Sequence, residues 1–530
     1  MRYHGPVPAF HVENFGCRAT QADGAALERQ FEERGLARAS ATDADVVILN
    51  TCTVTAAADQ DARAAIRRVQ RQNPNAKIVV TGCYAQRAPE EIAALPGVTC
   101  VVGNSHKHQL AEIALTNVFT RWDRNKHSQQ GHEQKGHEWE KHERGGHDRE
   151  GHDFSRAVTA GHSLASAAEV SPGPTGAFVP LASLASRSCE PESETRIFVS
   201  DIFAHTELLA APVFDPLGDA HDSQRTRPNL KVQDGCDNRC SFCVIPYVRG
   251  HSRSLPLQEI LREVNALVEA GYRELVVSGI NLGRWGRDLA DGGFEDLLRA
   301  ILAETSLEKL RISSVEPMDW TDELIALVAE SPRIAKHAHV PLQSGSDAVL
   351  RRMHRKYRPW HYREKIEKIR DAMPTAAIGA DVMVGFPGES DAEFEATRRV
   401  IEDLPFTYLH VFTYSARPGT PAASMPDQVP VHIARERSRI LRDLADAKKL
   451  AFMRSFVGMT VEAITLSGHK TAQGDMSVPF TEALTDNYQK LHLKGHHEPN
   501  RWLRCRVERV EDGTLVASRE SAREFTASAA

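Results

Sequence analysis

The stretch QDGCDNRCSFC, residues 233–243, places Cys236, Cys240 and Cys243 within eight positions. Structural zinc is normally held by ligand pairs that together close a tetrahedron. Three thiolates spaced by four and three leave a metal centre one protein ligand short, so the surroundings must say what takes the open position. The run NLKVQDG (229–235) that leads into the first cysteine reads as a strand. Further candidate strands follow at 274–280, 309–316, 337–344, 377–386 and 408–415, separated by helical patterns such as LQEILREVNALVEAG. Six βα units predict a partial parallel barrel over 226–452, with the loops after its strands forming one mouth. Cys236 follows the first strand directly and so belongs to that mouth.

A smaller alternation precedes it. Apolar runs at 10–16, 45–50, 77–82 and 98–103, with Ala/Glu/Arg/Gln-rich helical stretches between them, predict an open parallel α/β domain over 8–118. Cys17, Cys52 and Cys83 each stand immediately after one of its first three strands. In such a sheet these positions meet at the carboxyl edge, where ligands bind. Cys100, inside its strand, reads as core, and Cys189 and Cys505 have no partner pattern.

The remaining chain divides in two. Between 120 and 195 a histidine recurs every fifth position from His127 to His152, followed by a Ser/Ala/Pro-rich stretch. A five-residue step turns about 500° on a helix, so the histidines share no face. This composition predicts a disordered, solvated insertion. The tail, 456–522, changes to short alternating strands (MTVEAITL, FTEALTD, WLRCRVERV, GTLVAS) and predicts a small β-barrel of the kind that often binds RNA.

Composition sets outer limits. The chain has 530 residues, 41% apolar and 26% charged, with a net charge of −6 and nine cysteines. That length implies several domains. No run comes near the ~18 apolar residues of a membrane span, and the start lacks a secretory pattern. A disulfide framework does not fit, so a cytoplasmic protein with metal-binding or catalytic cysteines is expected.

Three thiolates on a cubane of four irons leave one iron open. A molecule bearing an amine and a carboxylate can chelate it; S-adenosylmethionine does so and is a recognised carrier of radical chemistry. Other mouth positions fit the same cofactor: Gly279 and Asn281 after the second strand, Glu316 and Pro317 after the third, Gln343 and Ser344 after the fourth, and Asp381 in the fifth. A second cluster on Cys17, Cys52 and Cys83 would also have an open iron. Two open clusters in one chain match the needs of sulfur insertion into a C–H bond.

The N-terminal triad, GCDNRCSFCVIPYVRGHSRS (235–254), PLQSGSDAVLRRMHRKY (341–357), GFPGE and the β-rich tail, in that order, resemble the methylthiotransferase family, the tail resembling its TRAM domain. The resemblance covers nearly the whole chain outside 120–195. It implies two [4Fe-4S] clusters and two molecules of S-adenosylmethionine, one the methyl donor and one the radical source. It also implies an external electron donor such as flavodoxin or ferredoxin, and no membrane. Family members modify adenosine 37 in the anticodon loop of tRNA or an aspartate of a ribosomal protein. LKVQDGCDNRCSFC and RISSVEPMDW are most similar to the branch acting on N6-threonylcarbamoyladenosine; the isopentenyladenosine branch has His-Pro where this chain has Glu316-Pro317. One departure is Thr20, where the family usually has Asn three residues after the first cysteine.

An RNA substrate needs a local cationic surface, because the chain as a whole is acidic. Residues 351–370 carry nine Lys/Arg against two Glu, with Tyr357, Trp360 and Tyr362 interleaved. Arg351, Arg352, Arg355, Lys356 and Tyr357 are the expected tRNA contacts, cations tracking phosphate and aromatic rings stacking on bases. A non-enzymatic iron–sulfur or RNA-binding module is the remaining alternative. It gives no reason for two sets of three cysteines.

Overall fold

The computed structural model describes residues 7–118, 195–208, 227–290, 292–470 and 479–520. One compact unit comprises Met1–Ile113 together with Glu192–Ala530. The histidine repeat and Cys189 lie outside the described residues.

The N-terminal strands are β1 (Ala9–Asn14), β2 (Ala37–Arg38), β3 (Val46–Thr51), β4 (Lys77–Gly82), β5 (Val98–Gly103) and β6 (Arg196–Phe198). They form one parallel sheet in the order β2-β1-β3-β4-β5-β6. β3, VVILNT, is buried at every position, as a central strand covered on both faces must be. β6 was not legible in the sequence: three residues, Arg-Ile-Phe, join the edge beyond the insertion, so this domain draws on chain from both sides of it.

The central region contains β7 (Asn229–Asp234), β8 (Arg253–Ser254), β9 (Glu274–Gly279), β10 (Lys309–Ile312), β11 (His337–His339), β12 (Ala377–Val384) and β13 (Tyr408–Thr413). Two hydrogen-bonded sets, β10-β9-β7-β8 and β11-β12-β13, are joined through parallel bridges Leu310–Ile334 and Ser314–His339. The six expected strands thus run parallel around a partial barrel, and among the described residues β13 has no strand beyond it, the helix Val431–Arg454 packing along it instead. Side chains alternate across a strand. Ile378, Ala380, Val382 and Val384 of β12 enter the core shared with Tyr362, Ile366 and Ile369 of the surrounding helices. Gly379, Asp381 and Met383 therefore face the barrel interior.

The C-terminal strands, β14 (Thr460–Lys470), β15 (Phe480–Thr485), β16 (Lys490–Lys494), β17 (Trp502–Glu511) and β18 (Thr514–Arg519), close a five-stranded barrel around Ala463, Leu491, Leu493, Val507 and Leu515. Cys505 is buried there and Cys100 is buried in β5, both as core. β16, absent from the sequence reading, hid in a stretch of only five residues, KLHLK. The β15–β16 turn carries Tyr488 at φ +64°. The Arg311 guanidinium lies 4.2 Å from its ring and donates to the carbonyls of Thr485 and Asp486 at 2.8 and 2.6 Å. The ring also meets the buried His337 at 4.3 Å, so this turn stops the barrel interior at that level.

Candidate functional site

The sheet order explains where the first triad lies. In doubly wound sheets ligands sit beyond the carboxyl ends of the strands where the order reverses. Here β1, β3 and β4 are adjacent, and Cys17, Cys52 and Cys83 follow their ends. Cys17 caps the helix Arg18–Glu32, and Cys83 opens the helix Cys83–Arg87. Burial, then the neighbouring Cys83 and Cys17, pushes the Cys52 thiol up to about 12. Gly16, at φ +107°, keeps the loop close: a Cβ there would stand 2.5 Å from Cys52 Cβ and 2.9 Å from its sulfur. Asn104 donates to Cys83 Sγ at 3.5 Å, and the Thr20 hydroxyl lies 3.5 Å from Cys17 Sγ. The departure at Thr20 thus places a hydroxyl within reach of that sulfur.

The second triad occupies the loop after β7. Gly235 has φ +71°, and a Cβ there would fall 1.9 Å from the His251 carbonyl oxygen, so only glycine permits this entry. Gln233, which sequence reasoning passed over, braces the loop. Its amide donates to the Gly235 carbonyl and to Ser252 Oγ at 2.9 Å, and its carbonyl accepts from Asn281 N at 2.7 Å. Asn281 Nδ2 in turn reaches Cys236 Sγ at 3.6 Å. Ser241 anchors the middle, its hydroxyl donating to the Arg352 carbonyl at 2.7 Å and its backbone N–H to the Met353 carbonyl at 3.1 Å. Burial raises the Cys236 thiol to about 11 and the Cys243 thiol to about 12. Thiols held protonated in this way must lose protons when they bind metal.

Three thiolates can hold a cubane at three of its irons and leave the fourth open. Among the described residues, the set His339, Asp381 and His410 brings three ligand atoms within 4.8 Å of one another.

The other predicted positions separate into two groups. Asn281 reaches the Cys236 sulfur, and Glu316 pairs with Arg355, which donates to Cys240 Sγ at 3.2 Å. Gly279 stands against Gln233, where a Cβ would approach to 2.9 Å. Gln343 has φ +61°, its backbone locked to β12 through Asp381 O and Met383 N. Ser344 is fully buried, and its hydroxyl is engaged by Thr397 Oγ1 and Ser346 N, each at 3.1 Å. Asp381 faces the interior beside His339 and His410.

The expected tRNA contacts need correction. Tyr357 is 1% exposed, and its hydroxyl donates into the carbonyls of Pro341 and Leu342; Tyr362 is equally buried. Neither ring can stack on a base. Arg355 is 7% exposed and serves the cysteine loop. A one-dimensional count of cations cannot separate such residues from Arg351, Lys356 and Trp360, which are exposed. Arg352 is half-buried and pairs with Glu393 at 3.0 Å.

The two triads are tied together through protein. Cys83 packs against Val244, Ile245 and Val248, which come directly after Cys243. Asn104, besides Cys83, bonds the Val248 carbonyl at 2.7 Å. Beneath them lies a buried charge network unread in the sequence. Arg249 reaches Asp234 at 2.8 Å and Asp23 at 2.9 Å, Lys107 reaches Asp23 at 3.0 Å, and Lys231 pairs with both acids. Burial favours the neutral form of Asp23, but Lys107, Lys231 and Arg249 outweigh it and bring the carboxyl down to about 2. A second bridge stands beside Cys52: Asp59 accepts from Thr53 at 2.6 Å and Arg87 at 2.9 Å, and pairs with Arg417 from the barrel side.

Removing one partner from such a network is costly, because the remaining charges stay buried without compensation. Arg249→Met is expected to destabilise the protein by about 3–5 kcal/mol. A clear fall in the thermal unfolding midpoint would bear this out; an unchanged midpoint would contradict it.

Comparison with known proteins agrees with this geometry. The Radical SAM superfamily matches residues 230–401, and Uncharacterized protein family UPF0004 matches residues 9–103. The Bacillus subtilis protein named threonylcarbamoyladenosine tRNA methylthiotransferase MtaB is 33% identical over 490 residues, covering 92% of this chain and 90% of that protein. The Aquifex aeolicus protein of the same name is 31% identical, covering 93% and 99%. A tRNA-2-methylthio-N(6)-dimethylallyladenosine synthase from Novosphingobium aromaticivorans is 31% identical, covering 86% of each chain. The chain therefore belongs to the radical S-adenosylmethionine methylthiotransferase family, an enzyme family that works with S-adenosylmethionine and a [4Fe-4S] cluster.

Proposed function

We propose that this chain methylthiolates C2 of N6-threonylcarbamoyladenosine at position 37 of tRNA, using two [4Fe-4S] clusters and two molecules of S-adenosylmethionine. The observation that carries the reading is the pair of cysteine triads joined across a packed contact, Cys83 against Val244 and Val248. Cys236, Cys240 and Cys243 would hold the cluster that cleaves S-adenosylmethionine. Cys17, Cys52 and Cys83 would hold the one that presents the sulfur. When bound, these groups supply an electron, a carbon-centred radical and a transferable sulfur. The protein fixes their separation, keeps water out and orients the adenosine. Asn281, Gly279, Glu316 and Gln343 at the mouth would help to seat the cofactor, with Ser344 bracing their loop; Asp381, expected from the sequence among these positions, is held between His339 and His410 instead. Arg351, Arg352, Lys356 and Trp360 would meet the anticodon loop, whose target base unstacks at little cost. A donor such as flavodoxin or ferredoxin would supply electrons.

The threonylcarbamoyl substrate is favoured by the names of the first relatives and by Glu316, which here fastens Arg355 to the Cys240 loop. Among the described residues no helix is long and apolar enough to cross a membrane.

Mass spectrometry of tRNA nucleosides from a deletion strain tests the reading. The 2-methylthio derivative of threonylcarbamoyladenosine should vanish; loss of the dimethylallyl derivative instead would reassign the substrate. Anaerobic reconstitution should give about eight irons per chain, whereas about four would remove the second cluster.

A further inference from the structure

The barrel interior holds one more group of chemically able side chains. His339 ends β11, Asp381 lies within β12 and His410 within β13, on neighbouring strands whose pairing sets Asp381 opposite His410 and His339 opposite Gly379. Asp381 Oδ1 is 3.4 Å from His339 Nε2 and 3.2 Å from His410 Nδ1. His339 is only 8% exposed, and its Nε2 has no well-aligned hydrogen-bond partner. A buried polar atom left in that state is costly unless a ligand meets it. Burial works to raise the Asp381 pKa, but His339 and His410 outweigh it and hold the carboxyl well below its usual range, so it stands ionised as an acceptor.

His410 differs from the other two in being accessible, its side chain 55% exposed. It also lines a groove of about 360 Å³ with Leu409, Phe412 and Arg442. That groove follows β13, the last strand of the partial barrel, and Phe412 is 47% exposed beside it. The groove runs between β13 and the helix Val431–Arg454, whose Arg442 donates to the Val411 carbonyl at 3.2 Å, and His410 is the member of the trio that reaches it.

We propose that His339, Asp381 and His410 form the recess that receives the N6 substituent of the target adenosine and selects a polar substituent over an apolar one. This rests on the tRNA-adenosine reading above. C2 and C6 flank the ring nitrogen N1 and N6 is carried on C6, so a substituent on N6 remains within about one ring width of the reacting carbon. A threonylcarbamoyl group brings urea N–H donors, a hydroxyl and a carboxylate. Asp381 accepts from the donors, and the imidazoles of His339 and His410 donate to the oxygens. A dimethylallyl group offers no such partner and would cover the Asp381 carboxylate and the two imidazoles without replacing the hydrogen bonds to water that it displaces. Sites built to hydrogen-bond a substrate reject analogues that lack the polar groups far more strongly than apolar pockets reject an added one. Three consecutive strands supply the residues, so backbone pairing holds the recess in place before the base arrives.

The test uses reconstituted full-length enzyme and anticodon stem-loop RNAs carrying threonylcarbamoyladenosine, dimethylallyladenosine or unmodified adenosine. His410→Leu should lower kcat/KM for the threonylcarbamoyl RNA about 10- to 100-fold relative to the unmodified RNA. His410→Gln should recover part of that ratio, and Asp381→Asn should lower it as well. Because the ratio is taken within one preparation, partial misfolding of a variant cancels. Retention of the wild-type ratio by His410→Leu and Asp381→Asn would overturn the recess alone. A wild-type preference for the dimethylallyl RNA would overturn the substrate reading itself. A divalent metal beyond the cluster iron, present in wild type and lost in Asp381→Asn, would mark the trio as a metal site and also overturn the recess.

Discussion

Cys240→Ala loses S-adenosylmethionine cleavage altogether, with 5′-deoxyadenosine falling to the background of enzyme without cluster. The expectation follows from the donor set, because two thiolates cannot hold a cubane at three irons. Cys236 and Cys243 are committed on either side, and Asn281, the polar neighbour at Cys236, offers its amide N–H to that sulfur at 3.6 Å. The substitution also leaves Arg355 with a donor facing an alanine, since its Nη1 now reaches Cys240 Sγ at 3.2 Å. Arg355 keeps its ion pair with Glu316, so the barrel should stay folded. The measurement is chromatographic detection of 5′-deoxyadenosine after reduction with dithionite. Wild-type production would remove the CxxxCxxC loop from the radical chemistry.

Much of this was readable because local pattern and global position coincide. Strand starts such as Val46, Lys77 and Val98 lie within a residue of the apolar runs that announced them. The cysteines fell at strand ends, and the rule that parallel sheets gather their ligands there turned three distant residues into one place. The barrel followed from six repeats of the same alternation. What escaped was whatever depends on contacts between distant segments. Arg249 looks like any arginine in PYVRGH, yet it lies 2% exposed between Asp23 and Asp234. Tyr357 and Tyr362 were read as part of a basic, aromatic surface, but the helix Pro359–Ala372 turns Tyr362 into the core and the loop before it does the same for Tyr357. Composition counts charges without direction, and direction decides which of them meets solvent. His339 and His410 were passed over for the same reason: they are 71 positions apart and become neighbours only through the register of β11, β12 and β13.

Cys52→Ala should give the opposite phenotype, retaining S-adenosylmethionine cleavage while losing the 2-methylthio product. The two outcomes separate because the triads belong to different strands of the fold. Cys52 follows β3 in the N-terminal sheet, whereas Cys236, Cys240 and Cys243 follow β7 in the barrel. The loop around Cys52 does not depend on the thiol for its shape. Asp59 holds it through Thr53 and Arg87 and ties it to the barrel through Arg417. Trimming a buried cysteine to alanine removes one sulfur atom from a position 5% exposed, a loss of about 1 kcal/mol that such a scaffold tolerates. The N-terminal cluster, reduced to the ligands Cys17 and Cys83, would be lost, and with it the sulfur to be transferred. Adenosylmethionine would then be consumed without product. Incubating the variant with dithionite, S-adenosylmethionine and tRNA carrying threonylcarbamoyladenosine, followed by nucleoside analysis, reads both arms in one experiment. Normal yields of the methylthio product would make the N-terminal triad structural and leave the barrel as the sole seat of the chemistry.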